Sequence, residues 1–177
     1  KKAPSSIKYM KTPSLELQLL AVSTGTYSGY NIRDIENPCL EVQLEAIKNN
    51  SGCIASIKNL HITAQLLAVK LDGFNIKHIE NPTLEVQLEA VKETGLSIEF
   101  IENPCLEVQL ISVKQNGLSI EFIENPCLEV QLEAVKQNCE SIRYIKNPHE
   151  EVRLELLEQN KEYLHIIQDR EYCIRYI

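Results

Sequence analysis

The chain has 177 residues, 44% of them hydrophobic and 24% charged, and a net charge of −7 at pH 7. This composition excludes an intrinsically disordered chain, and the length is sufficient to bury a core. No apolar run is long enough to cross a membrane, and the acidic balance makes nucleic acid an unsuitable partner, because phosphate binding requires a basic face.

The N-terminal sequence KKAPSSIKYMK lacks the apolar stretch of a secretory signal. We therefore expect a cytoplasmic protein without a membrane segment.

A repeat aligned on an Asn-Pro step organises the whole chain, with a period of 22 residues. The residues in the Pro position, in chain order, are Pro13, Pro38, Leu60, Pro82, Pro104, Pro126 and Pro148. The first interval is 25 residues, which places a three-residue insertion within residues 23–31. Residues 161–177 depart from the repeat pattern and gain polar residues, as is typical of a capping repeat. These are Lys161, Glu162, Gln168, Asp169 and Arg170. We therefore predict one repeat domain over residues 1–177.

The first half of each unit has the signals of an amphipathic helix. The position before Pro holds asparagine in several units, among them Asn81, Asn103 and Asn125. Asparagine is a good N-cap, and proline is favoured at the first helical position. A helical wheel places the apolar residues of the fourth unit on one arc: Leu84, Val86, Leu88, Ala90 and Val91. A glycine further on is expected to end this helix in the left-handed conformation. The glycines in this column are Gly73, Gly95 and Gly117.

The second half of each unit carries two isoleucines at i and i+3, such as Ile98 and Ile101. This spacing indicates a second short helix, whereas a strand requires i and i+2. A leucine-rich-repeat-like α/β solenoid is the alternative, but Asp34 and His78 occupy the column of Phe100, which does not suit a buried strand. We favour an all-α fold, an α-solenoid of about seven 22-residue helix-turn-helix repeats that stack to bury their apolar arcs.

A glutamine lies inside the apolar arc of most units. A buried amide without partners costs about 1–3 kcal/mol. We therefore expect a structural ladder in which each glutamine bonds backbone groups of the neighbouring unit near its Asn-Pro loop. The glutamines of this column are Gln18, Gln43, Gln65, Gln87, Gln109 and Gln131.

The phrase N-P-x-x-E-V-Q-L-x-A-V-K-x-N-G, followed by an Ile-rich tail, covers nearly the whole chain and is closest at residues 79–148. It resembles an uncharacterised tandem-repeat family, a domain of unknown function abundant in giant viruses and found in some bacteria. The resemblance implies helical tandem repeats with a binding role, and it brings no catalytic residues.

Candidate catalytic, cofactor and metal residues are not predicted. Cys39, Cys105 and Cys127 share the position after Pro, but packed helices lie about 9–10 Å apart, and a disulfide requires Cα atoms within about 7 Å. No Cys or His spacing suggests zinc. Reduced thiols are the expected state, and the alternative is that Cys105 and Cys127, at helix N-termini, are redox sensors with a lowered pKa. We expect the chain not to be an enzyme.

The candidate binding surface combines two kinds of repeated residue. Acidic columns on the first helix are expected to form a solvated face, partly neutralised by lysines, and they contain Glu85, Glu89, Glu107, Glu129, Glu133 and Glu151. The variable column four residues before Pro contains His78, Phe100, Phe122 and Tyr144, for which core packing is the alternative.

The expected partner is another protein, with a basic surface. The predicted function is a protein–protein interaction module that presents an extended acidic surface. The alternative function is a viral or mobile-element inhibitor of a host macromolecule, such as a defence nuclease.

Overall fold

The computed structural model describes residues 7, 9–10, 12–24 and 30–159. Seven α-helices lie within this part of the chain: α1 (Leu15–Ser23), α2 (Leu40–Asn49), α3 (Ile62–Leu71), α4 (Leu84–Glu93), α5 (Leu106–Gln115), α6 (Leu128–Gln137) and α7 (Glu150–Gln159). Short 3₁₀ helices alternate with them: Tyr30–Asp34, Ser51–Ser56, Gly73–His78, Gly95–Phe100, Gly117–Phe122 and Cys139–Tyr144.

The units stack side by side in chain order. Each α-helix packs against the next α-helix, and each 3₁₀ helix packs against the next 3₁₀ helix. The predicted α-solenoid is therefore confirmed. The α/β alternative is wrong for the described residues, none of which forms a strand. The predicted capping repeat, residues 161–177, lies outside the described part.

The isoleucine pairs explain why the second half of a unit is a 3₁₀ helix. Such a helix has 3.0 residues per turn, so side chains at i and i+3 lie directly above one another. Ile98 and Ile101 are 1% and 6% exposed, and the corresponding pair Ile120 and Ile123 is equally well buried. The spacing predicted a helix, and the exact three-residue turn lets both isoleucines enter the core from one face.

The start of each α-helix differs from the prediction. Asn81 has a φ of 49°, in the left-handed region, whereas the extended Thr83 is the N-cap, and its Oγ1 accepts a hydrogen bond from the Val86 N–H at 3.4 Å. Asn103 and Asn125 have the same left-handed φ of 49°. The prediction that they cap the helix is wrong, because an N-cap residue needs extended backbone and asparagine serves here as a residue that tolerates positive φ.

The apolar arc is confirmed except at its first residue. Val86, Ala90 and Val91 have no exposed surface and Leu88 is half-buried, but Leu84 is 48% exposed. Because α4 begins at Leu84, two residues later than predicted, this side chain lies in the first turn at the edge of the arc. Burial of each valine contributes about 1.5–3 kcal/mol, so the shared core of neighbouring units is the main source of stability.

The glycine column has a different role from the one predicted. None of Gly73, Gly95 and Gly117 has a left-handed φ, and each begins a 3₁₀ helix. A Cβ at Gly73 would lie 2.5 Å from the carbonyl oxygen of Ala90, and a Cβ at Gly95 would lie 2.6 Å from that of Ser112. These glycines allow the next α-helix to approach closely.

Candidate interaction surface

The side chain of Gln43 joins two units. Its Nε2 donates to the carbonyl oxygens of Pro38 at 3.0 Å and Asn59 at 3.1 Å, and its Oε1 accepts from the His61 N–H at 3.0 Å. Gln131 makes a similar bridge, with one bond inside its unit and one to the next. These two glutamines make the connections between units that the ladder hypothesis requires.

The other glutamines of this column bond within their own units. Gln65, Gln87 and Gln109 each donate from Nε2 to the carbonyl oxygen of the residue in the Pro position, at 2.8–3.1 Å. Among the described residues, no donor reaches the Oε1 of Gln87 or Gln109. The ladder therefore fixes the loop at the Pro position, and it crosses between units at only two of the six predicted positions, Gln43 and Gln131.

A second set of glutamines, which the sequence analysis missed, also joins the units. The Oε1 of Gln115 accepts from the Gly95 N–H at 2.7 Å, and its Nε2 donates to the Glu93 carbonyl at 3.3 Å. The Oε1 of Gln137 accepts from the Gly117 N–H at 2.6 Å. The sequence signal was the spacing of 22 residues between Gln115 and Gln137, together with the glycine column that leaves an N–H accessible.

A row of open cavities follows the Asn-Pro loops from residue 79 to residue 149. Two have volumes of about 530 Å³ and the third has a volume of about 670 Å³. Successive cavities share walls, so we treat the three as one continuous groove, the loop groove. The shared walls are Glu102 and Asn103 at one junction and Phe122, Ile123, Glu124 and Asn125 at the other. A separate cavity of about 300 Å³ lies between residues 33 and 59.

The predicted aromatic column lies along the loop groove. Phe100, Phe122 and Tyr144 line the cavities, and they are 39%, 36% and 42% exposed, so they are not core residues. His78 is exposed but lines none of these cavities. Desolvation, and secondly the charge of Lys77, lowers the pKa of His78, which favours the neutral imidazole.

The predicted acidic columns lie on the α-helices, outside the loop groove. The acids of the first column are exposed: Glu85, Glu107, Glu129 and Glu151. In the second column, Glu89 and Glu133 are half-buried. Lysines of the preceding helix pair with this column, Lys70 with Glu89 at 4.0 Å and Lys136 with Glu155 at 3.9 Å. The structure therefore does not bring the helical acids and the aromatic column together in one site.

Acids that do line the loop groove were missed, Glu121 among them. Glu80, Glu102 and Glu124 immediately precede the Asn-Pro step, are exposed, and form no ion pair within the described residues. The same column holds Lys58 before them and Lys146 after them. The repeat alignment contained this signal, since the column changes sign along the chain.

The cysteines give no sign of a metal or disulfide site in the described part of the chain. Cys39, Cys105 and Cys127 are exposed at the N-cap positions, and their side chains make no capping bond. Cys53 is fully buried, and desolvation raises its pKa to about 11. No group of three His, Cys, Asp or Glu residues could hold a metal ion there. The redox-sensor hypothesis stays a prediction.

Comparison with models of protein families, with curated proteins and with solved structures gives no match for the chain. The resemblance to the tandem-repeat family therefore stays a prediction. Among the described helices, none has the length and apolarity that a bilayer span would require.

Proposed function

We propose that this chain is a non-enzymatic protein–protein interaction module of the cytoplasm, which presents an extended acidic surface to a partner with a basic surface. The observation that carries the proposal is the column of exposed glutamates at the same position of successive helices. Its members are Glu85, Glu107, Glu129 and Glu151.

The spacing of this column makes its charges act together. Packed helices lie about 8–10 Å apart, and the Debye length at 0.1 M salt is about 10 Å. The potentials of adjacent glutamates therefore overlap, and a row of them attracts a basic protein over a longer range than a single carboxylate would.

The lysines of the helical face reduce this field without cancelling it. Lys70 and Lys136 pair with the second glutamate column at distances of 4.0 and 3.9 Å, which are at the outer limit of an ion pair. The chain retains a net charge of −7. A partner is therefore expected to bind through charge complementarity, with an affinity that falls as salt rises.

The test is affinity capture of partners from a native lysate, with elution by increasing NaCl and identification by mass spectrometry. The variant replaces Glu85, Glu107 and Glu129 with Gln. A protein that is retained at about 0.1 M salt, is released by about 1 M salt and is lost with the triple variant supports the proposal. Capture that is unchanged by salt and by the triple variant contradicts it.

A further inference from the structure

We infer that the loop groove binds an extended segment of a partner protein that carries a positively charged side chain at every third residue. This inference deepens the proposed function and rests on it, because it assigns the recognition of a basic partner to a defined part of the surface. The helical glutamates attract the basic partner as a whole, and the Asn-Pro loops bind one extended segment of it.

The charges of the groove select a basic occupant. Glu80, Glu102 and Glu124 place one carboxylate at each of three successive loops, and none of the three forms an ion pair with a described residue. Glu99 and Glu121, three residues before two of them, are also exposed. An acidic segment would be repelled by these groups, and so would a phosphate backbone. A lysine or arginine side chain at each loop would be matched by one carboxylate.

The aromatic rings reinforce the same preference. Phe122 and Tyr144 line the cavity of about 670 Å³, and Phe100 lines the cavity that begins at residue 79. The ring of Phe100 also makes an edge-to-face contact with Phe74, with ring centroids 6.2 Å apart, which fixes its orientation. Partly exposed rings beside carboxylates are suited to guanidinium and ammonium groups, because the ring face attracts cations.

The amides of the groove suit an extended backbone. Asn81, Asn103 and Asn125 are exposed along it. The Oε1 atoms of Gln87 and Gln109, at the cavity walls, have no donor among the described residues and can accept hydrogen bonds from peptide N–H groups. An extended segment with solvated, unpaired backbone groups supplies such donors at regular intervals.

The repeat spacing determines the spacing of the charges. Neighbouring units are expected to be about 8–10 Å apart, the distance of packed helices. Three residues of an extended or polyproline II segment span about 9–10 Å. Each unit of the groove therefore matches three residues of the partner, and Lys58 and Lys146 bound the acidic part at its two ends. The expected pattern is three cations at positions one, four and seven.

The test measures the fluorescence anisotropy of labelled nonapeptides at about 0.1 M salt. One probe repeats Arg-Ala-Pro three times, and its isomer has the same composition with the three arginines adjacent. We expect the repeating probe to bind more tightly than the isomer. Replacement of Glu102 and Glu124 together by Lys should weaken its binding at least about tenfold.

The matched control replaces Glu93 and Glu158 by Lys, two exposed glutamates of α-helices that line none of the three cavities and do not belong to the glutamate column of the proposed function. It makes the same change of net charge, from −7 to −3 as four charges are added, but on the α-helices and outside the loop groove. We expect this control to weaken binding less than about twofold, as is usual for a distant exposed charge. Far-UV circular dichroism checks that each variant is folded. If the lysine variant does not fold, Phe122→Ala is the substitute test, because it leaves all charges in place. It should weaken the binding of the repeating probe.

Three results would overturn the inference. Equal binding of the two isomers, or an equal loss with the helical control, would show that the acidic surface acts without the groove, and the proposed function would stand. If neither probe binds, the inference about the groove is refuted. The proposed function is then still decided separately, by salt-sensitive capture of a protein partner.

Discussion

The glycine column offers a direct test of how the units pack, through the substitution Gly95→Ala. A Cβ at this position would lie 2.6 Å from the carbonyl oxygen of Ser112 and 2.7 Å from the Oε1 of Gln115. Both atoms belong to α5, the helix of the next unit. Because one of them is a backbone atom, the methyl group can be accommodated only if α5 moves away from the 3₁₀ helix Gly95–Phe100.

The expected cost combines three contributions. Overpacking of this kind costs about 1–3 kcal/mol. The Gly95 N–H to Gln115 bond of 2.7 Å and the Ser112 Oγ to Gly95 carbonyl bond of 2.9 Å would lengthen, and loss of one such bond costs about 0.5–1.5 kcal/mol. Alanine also lowers the conformational entropy of the unfolded chain, which stabilises the folded state by about 0.4–1 kcal/mol. We expect a net destabilisation of about 2 kcal/mol from these terms.

Urea unfolding followed by far-UV circular dichroism measures this difference. With an m value of about 2 kcal/mol/M, the midpoint should fall by about 1 M. Gly52→Ala is the matched control, because a Cβ there has Asn50 Oδ1 at 3.5 Å as its nearest neighbour, an ordinary contact. The control should equal the original chain in stability or exceed it by up to about 1 kcal/mol. If Gly95→Ala is as stable as Gly52→Ala, the close-approach argument is wrong.

Four further predictions concern the loop, the glutamine ladder and the buried thiol. Asn103→Ala should destabilise the chain by about 1 kcal/mol, since alanine disfavours the positive φ, and Asn103→Gly should not; thermal unfolding compares the two. Gln43→Leu should lower the free energy of unfolding by about 1–3 kcal/mol, more than Gln87→Leu, because Gln43 bonds to the next unit and Gln87 does not; equal urea midpoints would contradict this. At pH 8, iodoacetamide should modify Cys53 at least about 100-fold more slowly than Cys105, as judged by mass spectrometry, because its pKa is raised from 9.0 to about 11. The unfolded thiol loses its proton first, so the contribution of Cys53 to stability should decline as pH rises from about 9 to about 11.

The fold was predictable from the sequence wherever a periodic pattern had one physical meaning. The isoleucine pair Ile98 and Ile101 at i and i+3 indicated a helix, and the spacing of Val86, Ala90 and Val91 indicated an amphipathic helix. The exact start of the helix was not predictable in this way, because asparagine is favoured both as an N-cap and in the left-handed conformation. Asn81 adopts the left-handed conformation, because the chain turns there between the 3₁₀ helix Gly73–His78 and α4.

The candidate surface was predictable only in part. The exposure of Phe100 and Phe122 agrees with their selection as binding candidates, but the helical glutamates chosen with them lie elsewhere. Glu102 and Glu124, which do lie beside the rings, belong to loops. One-dimensional periodicity shows which residues of a helix share a face, whereas it gives no distance between a loop of one unit and a side chain of the next.

The sequence by itself determined the repeat, its period, the helical character of both halves of each unit and the columns that are buried, because these depend on local spacing and on hydrophobicity. Tertiary structure alone decided that the glycines admit a neighbouring helix, that only Gln43 and Gln131 of the predicted ladder reach the next unit while Gln115 ties units together as well, and that aromatic and acidic residues line one groove. Each of these depends on how closely adjacent units approach, and that distance is set by the packing of whole helices against one another.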